Sequence, residues 1–571
     1  MTWTQVYDPL HHWWLSTLVA SLPVVVLLGL LAGFKVRVHI CAIAGAATAV
    51  LVSIAVFGMP AALAFSSFAY GSAYGLLKIV WIVIAAVFLY DISVETGQFE
   101  IMKQSVGAIT PDRRLQLLLV AFCFGAFIEG CAGFGSPVAI AGAFMIGLGF
   151  RPFQAAALNL IANTAPVAWG AIGTPVHALV SVTGLSESDL SAMIGRILPL
   201  TAVLIPLWLV RTMVSWSETF EVLPAILVVG ISFAGTQFFW ANRMDSNLVD
   251  IAAGVVSLVA TMIFLRFWQP KRIWRFEDER EPGTTPAVPS REIERHAPAQ
   301  IAKAWLPFAV LSLLVLLWGL TPVKLAMNKA TTPAFTVMMP NGKPRYGPAG
   351  WDWPYLNNRV YRTTPVVPAP TPEIVRFDFN WLTATGTACF LAAVFSGLLL
   401  GLGSRQLLQI FGRTLVRLRF AIIAMTCMLG LGYVTRYSGM DAVLGLAFTR
   451  TGWLFPFFGS FIGWLGVALT GSDTSSNVLF GGLQKITAQQ LNLSPILMCA
   501  TNSAGGVMGK MIDAQSICIA TAATNQVGQE GSIFRFVFWH SVSLAAIVGV
   551  IVMLYAYVFP YLIPSSLNFI H

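Results

Sequence analysis

Charge is what this sequence has least of. Only 10% of its 571 residues are Asp, Glu, Lys or Arg, while 57% are hydrophobic and the mean hydropathy is +0.75. A soluble domain carries about 25% charged residues because its surface must face water. So little charge over so long a chain excludes a water-facing surface for most of it and makes lipid its solvent. Metal and thiol patterns are missing as well. The seven cysteines, Cys41, Cys123, Cys131, Cys389, Cys427, Cys499 and Cys518, all lie in apolar stretches. None form a CxxC pair and their number is odd, so they read as small buried hydrophobes rather than a disulfide frame or a metal site. The seven histidines are dispersed, and neither HExxH nor GxSxG occurs. An enzyme is therefore not expected, and neither a metal nor a cofactor is called for.

Basic residues are absent where a nucleic-acid binder or a secretion signal needs them. The net charge is +9, yet Lys and Arg sit mostly between apolar runs, with no continuous basic face. That placement points to membrane topology rather than nucleic acid. The first apolar run, Trp14 to Phe34, has no basic segment before it and no small-residue cleavage site. It is expected to stay as the first membrane helix.

What the sequence has is long apolar runs, and a bilayer needs about 20 such residues per crossing. Runs at 14–34, 38–57, 78–94, 195–213, 223–240, 248–266, 303–320, 379–402, 420–435 and 540–559 qualify, and 60–77 is a more polar candidate. Four more, 115–149, 155–180, 453–490 and 495–524, are apolar but interrupted. The expectation is an all-α polytopic membrane protein with 12–14 transmembrane helices. Residues 1–13 contain no Lys or Arg, while Lys35, Arg37 and His39 follow the first run. The N-terminus is thus expected outside and Lys35 in the cytoplasm. A linker at 267–302, with Lys271, Arg272, Arg275, Arg280, Arg291 and Arg295, is expected to be cytoplasmic. The segment 321–378, rich in Pro, Gly, Asn and aromatics, is expected outside as a lid or a partly mobile loop. These two segments separate a first half, 1–266, from a second, 303–571.

The breaks in the apolar runs carry the most information. Leu115 to Ile128 reads as helix until Glu129-Gly130-Cys131-Ala132-Gly133-Phe134-Gly135-Ser136-Pro137 interrupts it. A second break runs from Asn163-Thr164-Ala165-Pro166 to Gly170, Gly173 and Pro175. In the second half, Thr470-Gly471-Ser472-Asp473-Thr474-Ser475-Ser476-Asn477 forms one break. Thr501-Asn502-Ser503-Ala504-Gly505-Gly506, leading to Gly509-Lys510-Met511-Ile512-Asp513, forms the other. From Gly130 to Asn163 is 33 residues and from Gly471 to Asn502 is 31. Paired breaks at matching places point to a transporter site. The expectation is two pseudo-repeat halves, each with two broken or re-entrant helices meeting at the membrane midplane.

Such a place suits a small anion. A half-helix that starts inside the membrane aims unpaired N–H groups and a positive dipole end into the site. Ser472, Thr474, Ser475, Asn477, Thr164, Asn502 and Ser503 add donors, Gly133 and Gly135 belong to the same substrate-binding set, and Lys510 is the one cation in these breaks. Glu129 and Asp473 are carboxyl groups in apolar surroundings, which suits proton carriage. Each residue has a plainer reading too. Glu129 could partner a helix end, Asp473 could be an N-cap, and Lys510 could pair with Asp513 three residues on. His177 reads as an ordinary hydrogen-bonded histidine. Asp91 and Glu95 read as boundary charges, and Arg196, Arg211 and Arg436 as snorkelling side chains.

At these residues the sequence resembles the bacterial lactate permease family. The resemblance rests on Tyr7-Asp8-Pro9, Thr96 to Phe99, Thr110 to Gln116, Phe122 to Phe127, Glu129 to Pro137, Asn163 to Ala168, Thr470 to Asn477 and Gly505 to Ile512. It implies a proton symporter for lactate, D-lactate and glycolate in a bacterial inner membrane. One departure stands out. Where the family continues Gly-Lys-Met-Ile with Ser-Pro-Gln-Ser, this chain has Asp513-Ala514-Gln515-Ser516. Under that resemblance, the lactate carboxylate is expected to face half-helix N-termini and Lys510, and its 2-hydroxyl to pair with Asn163 or Asn502. Asp473 is expected to compete with the substrate as an anion until a proton neutralises it, with Glu129 as the alternative carrier. Sodium held by Thr470–Asn477 is the rival coupling scheme.

Overall fold

The computed structural model describes residues 2–32, 36–133, 135–276, 296–320, 322–323, 325–327, 351–367, 369–377, 379–526 and 529–564. Lys35, Arg280, Arg291 and Arg295, on which part of the charge reading leaned, lie outside these residues, as does most of 321–350. Among the described residues, ten helices are long and apolar enough to cross a membrane. Eleven qualify if the bent pair Pro152–Ala162 and Val167–Thr183 forms one span. The shorter apolar helices Trp13–Leu27, Pro137–Gly147 and Thr385–Leu399 lie outside that count. Among the same residues, regular strand is confined to short ladders of two or three residues, the fold of a polytopic helical membrane protein.

Two polar faces bracket the helices. On one, Trp3–Thr4 pairs in parallel with Val360–Arg362, which pairs antiparallel with Thr371–Pro372. Trp351–Asp352 closes a second ladder with Arg376–Phe377. The segment expected outside as a lid or a partly mobile loop forms, over 351–377, a small strand cap bound to the N-terminus. On the other face, fully buried Arg114 is fixed by Asp112 at 2.8 Å, Glu221 at 2.9 Å and the carbonyls of Glu218 (2.7 Å) and Arg272 (2.9 Å). These bonds tie the start of the 267–302 linker to the loops before Arg113–Ala132 and Leu223–Arg243.

Helix Ser404–Ser438 joins the two faces. Near its start, Arg413 and Arg417 pair with Glu95 (3.1 Å) and Asp91 (2.6 Å). Near its end, Gln5 donates to the carbonyls of Arg436 and Tyr437, both at 3.0 Å. The intervening turns rise about 36 Å, enough to cross a bilayer. Asp91 and Glu95 are boundary charges as read. Arg436 differs from the snorkelling expectation. It turns inward to the carbonyls of Ser181 (3.3 Å) and Val182 (3.1 Å) and to Glu373 (3.4 Å), because three acceptors from other segments converge on it.

Close helix packing in the second half depends on small residues, as it does in membranes generally. Phe455–Thr470 meets Pro495–Gly509 backbone to backbone. A Cβ at Gly463 would overlap the Asn502 carbonyl, and one at Gly505 the Ser460 carbonyl.

Candidate functional site

Four breaks converge on one cavity. The first lies between Gly125–Ala132 and Ser136–Gly147. Gly133 carries φ +57° and ψ −152°, a conformation that only glycine adopts readily. The second follows Pro152–Ala162, where Ala171, Ile172 and Gly173 hold φ of +45°, +57° and +70°. For Ala171 and a β-branched Ile172 that is strained backbone, costing about 1–3 kcal/mol at each, and such strain gathers at functional sites. The helix that carries Glu129 also contains a π-helical stretch, Leu118–Phe124, another frequent neighbour of such sites.

The third break is at Gly471 and Ser472. Ser472 is the N-cap of Asp473–Gln490, accepting from Ser475 N at 3.3 Å. The plain N-cap reading of Asp473 therefore gives way. Asp473 is the first helical residue and its carboxylate turns inward, accepting from the Ser503 hydroxyl and, at 3.3 Å, from Asn477 Nδ2. The fourth break differs from its expected place. Thr501 to Gly506 sit inside the continuous helix Pro495–Gly509, and the chain breaks at Lys510–Ile512. The glycines at 505 and 506 serve close packing there, so the helix runs through them. Asp513 caps Ala514–Ala523 by accepting from Ser516 N at 2.7 Å. Lys510 Nζ donates to the Gly471 carbonyl at 2.6 Å and lies 3.5 Å from Asp513. It bridges the third break to the fourth, so the pairing with Asp513 and a place in the site hold together.

The cavity between these breaks is lined by Glu129, Gly133, Val167, Gly170, Ala171, Pro175, Gly471, Ser472, Asp473, Thr474 and Lys510. It leaves about 30 Å³ to the centres of water molecules, the space of two or three. Its depth follows from helix rise. Glu129 is 15 residues from Arg114 on one face, about 22 Å. Asp473 is 17 residues from Gln490, about 25 Å, and Gln490 donates to the Pro365 carbonyl of the strand cap at 2.9 Å. The cavity thus lies midway between the two polar faces.

Of the residues expected in the substrate site, Gly133, Ser472, Thr474 and Lys510 line it, together with Glu129 and Asp473. The others stand behind or away from it. Asn477 donates to the Pro175 carbonyl at 3.1 Å and accepts from Asn502 Nδ2 at 2.9 Å. Asn502 also reaches Ser476 and Gln484, both at 3.4 Å. Ser475 contributes its backbone N–H to the cap, and Ser503 supports Asp473. Thr164 turns its hydroxyl back to the Ile161 carbonyl at 2.8 Å. Gly135 faces Ile519 of the helix after the fourth break. Asn163 is buried beside Glu129 without closing a hydrogen bond through either amide atom among the described residues. His177 bonds Asn247 at 2.8 Å, the ordinary histidine it was read to be.

Sequence reasoning marked Gly170 only as part of the second break, and it passed over Gln237 and Asp250. A Cβ at Gly170 would meet Glu129 Oε1 at 2.6 Å, so this glycine is what lets the second break close over the first. Asp250 is a fully buried acid in the run 248–266, and the rule that singled out Glu129 would have found it.

The comparisons follow the same length of chain. The family model described as L-lactate permease matches residues 16–559. The glycolate permease GlcA of Escherichia coli (strain K12) is 44% identical over 98% of this chain and 99% of its own length. An L-lactate permease of Salmonella typhimurium is 44% identical, and one of Escherichia coli (strain K12) is 43% identical, each over 98% of this chain and 100% of its own length.

Proposed function

This chain belongs to the L-lactate permease family, a family of transporters rather than enzymes, and from that premise we propose that it imports L-lactate and related small 2-hydroxy-monocarboxylates, D-lactate and glycolate among them, by proton symport across a bacterial inner membrane. The observation that carries the reading is the cavity itself. A buried lysine, the N-terminus of Asp473–Gln490 and two buried carboxyl groups face one small space. A lysine and a helix N-terminus together attract a carboxylate, and the narrowness of the space favours a short one. The matching element order on either side of the linker, helix, break, helix, turn, helix, break, helix, supports a two-half transporter with breaks at mid-membrane. The strand cap and N-terminus would then face outward, since Lys271, Arg272, Arg275, Arg413 and Arg417 collect at the opposite face.

The lactate carboxylate would bind Lys510 and the N–H groups after Ser472, beside Thr474. Of the two candidate proton carriers, Glu129 has the looser setting. Its Oε2 is unbonded among the described residues, whereas Asp473 is held through Oδ2 by Ser503 and Asn477 and leaves only Oδ1 unbonded. We therefore place the coupled proton on Glu129 and read Asp473 as an anchor for the break. Sodium is less well served. The buried Lys510 ammonium lines the same cavity and repels a second cation there. The test compares Glu129→Gln with Asp473→Asn in proteoliposomes. Glu129→Gln should keep exchange of external for internal lactate and lose accumulation under an inward proton gradient, while Asp473→Asn should lose both. Full accumulation by Glu129→Gln would overturn the carrier assignment.

A further inference from the structure

Behind the cavity stands a second poorly supported buried acid, Asp250. It lies in the first turn of Val249–Phe267 and is fully buried. Neither carboxyl oxygen closes a hydrogen bond among the described residues. Its polar neighbours are the Gln237 amide and the backbone of Trp169, and the charge that acts on it is Glu129. Gln237 donates Nε2 to the Ala165 carbonyl at 3.2 Å and leaves its Oε1 unbonded. A carboxyl group so placed, with no cation paired to it, needs a proton to be tolerated there.

Packing imposes this position. A Cβ at Gly130 would meet Asp250 Cβ at 3.1 Å and Ile251 N at 2.8 Å, so the first break is pressed against the helix that carries Asp250. Gly170 stands against Glu129 in the same way, and Trp169, its chain neighbour, stands against Asp250. The second break therefore has Glu129 on one flank and Asp250 on the other. The remaining charges on Glu129 are Lys510 and Asp513, with Asn163 as its amide neighbour. Among the described residues, the charge acting on Asp250 is Glu129.

We infer that Asp250 and Glu129 form a carboxyl pair that holds the coupled proton between them, Glu129 at the cavity and Asp250 one layer behind it. The inference rests on the symport reading above. Two neighbouring carboxyls in a dry site do not readily ionise together, so the pair keeps a proton. Water in the cavity delivers that proton to Glu129. When the substrate carboxylate settles on Lys510, Glu129 loses part of its counter-charge and the pair holds the proton more firmly, which links the two bindings. Asp250 does not touch substrate. It is a positioning residue that acts through Glu129 and through the break at 163–173 lying between them.

The test is Asp250→Asn in the full-length protein, reconstituted with labelled L-lactate as probe. The amide keeps the volume and removes the exchangeable proton. Lactate exchange should remain measurable while accumulation under an imposed proton gradient falls about tenfold, within the range of such couplings. An acid with a purely structural role would be replaced without that split, so wild-type accumulation by Asp250→Asn overturns the pair. If Asp250→Asn loses exchange as well, the decision passes to Gln237→Leu, which removes the amide against Asp250, together with its bond to the Ala165 carbonyl, and leaves the carboxyl itself in place. The pair requires the pH dependence of its accumulation to move with exchange retained, and an unmoved profile overturns it. Failure of the wild-type protein to accumulate lactate in the same assay would instead sink the symport reading beneath it.

Discussion

The two pairs of breaks differ in how well their polar groups are bonded. In the second half, Asp473, Asn477, Ser476, Asn502 and Gln484 form one connected network, and Lys510 ties Gly471 to Asp513. Every one of these side chains has at least one protein partner, although Asp473 Oδ1, Gln484 Oε1 and Asp513 Oδ2 close no hydrogen bond among the described residues. In the first half, Asn163 and Asp250 have no closed hydrogen bond among the described residues, and Glu129 leaves one oxygen unbonded. Buried polar groups are normally satisfied, and exceptions ask for a reason. The second half is the preorganised frame, and the first half is where a proton or a substrate has something to complete.

The sharpest way to break this comparison is Lys510→Met. It strips Asp513 of its cation inside the frame, and removing one member of a buried pair costs about 3–5 kcal/mol. Uptake should vanish and thermal unfolding in detergent should shift downward. A stable, active variant would mean that Lys510 belongs to neither frame nor site. Next is Gly170→Ala, which sets a methyl group against Glu129. Overpacking of this kind costs about 1–3 kcal/mol. Lactate accumulation should fall well below wild type while exchange falls less, and equal losses would point to simple misfolding.

The pair Asn502→Ala and Asn163→Ala sharpens the contrast directly. Asn502→Ala removes bonds to Asn477, Ser476 and Gln484, worth about 1 kcal/mol each before the stranded partners are counted. Asn163→Ala breaks no closed hydrogen bond among the described residues and should destabilise less than Asn502→Ala, yet raise the KM for lactate. If Asn163→Ala proves the more destabilising, the assignment of frame and working half is reversed. The smallest effect is expected for His177→Gln, whose amide can replace the bond to Asn247. Uptake and its pH profile should stay within about twofold, as for a substitution outside the site.

The membrane class was legible from composition, and three breaks from their Gly and Pro content. The fourth was displaced because glycine has two meanings in a membrane helix. At Gly133 it breaks the chain, but at Gly505 it brings Pro495–Gly509 onto the Ser460 carbonyl, and sequence spacing alone does not separate the two. Arg436 looked like a lipid-facing residue because its acceptors, Ser181, Val182 and Glu373, come from distant segments. Asp250 is an acid in the run 248–266 with no helix break beside it, so the sequence could flag it as an intramembrane acid, but only its packing against Gly130 ties it to the site. Asp513 fills an N-cap role that a serine could also perform and adds a charge for Lys510.

The account's central claim is tested most directly by uptake of labelled L-lactate into sodium-free proteoliposomes of the wild-type protein under an imposed inward proton gradient. The account predicts accumulation above the outside concentration, abolished when the gradient is collapsed and reduced by glycolate and D-lactate. Accumulation that appears only when a sodium gradient is supplied, or none with L-lactate in vesicles that exchange another small carboxylate, would contradict it.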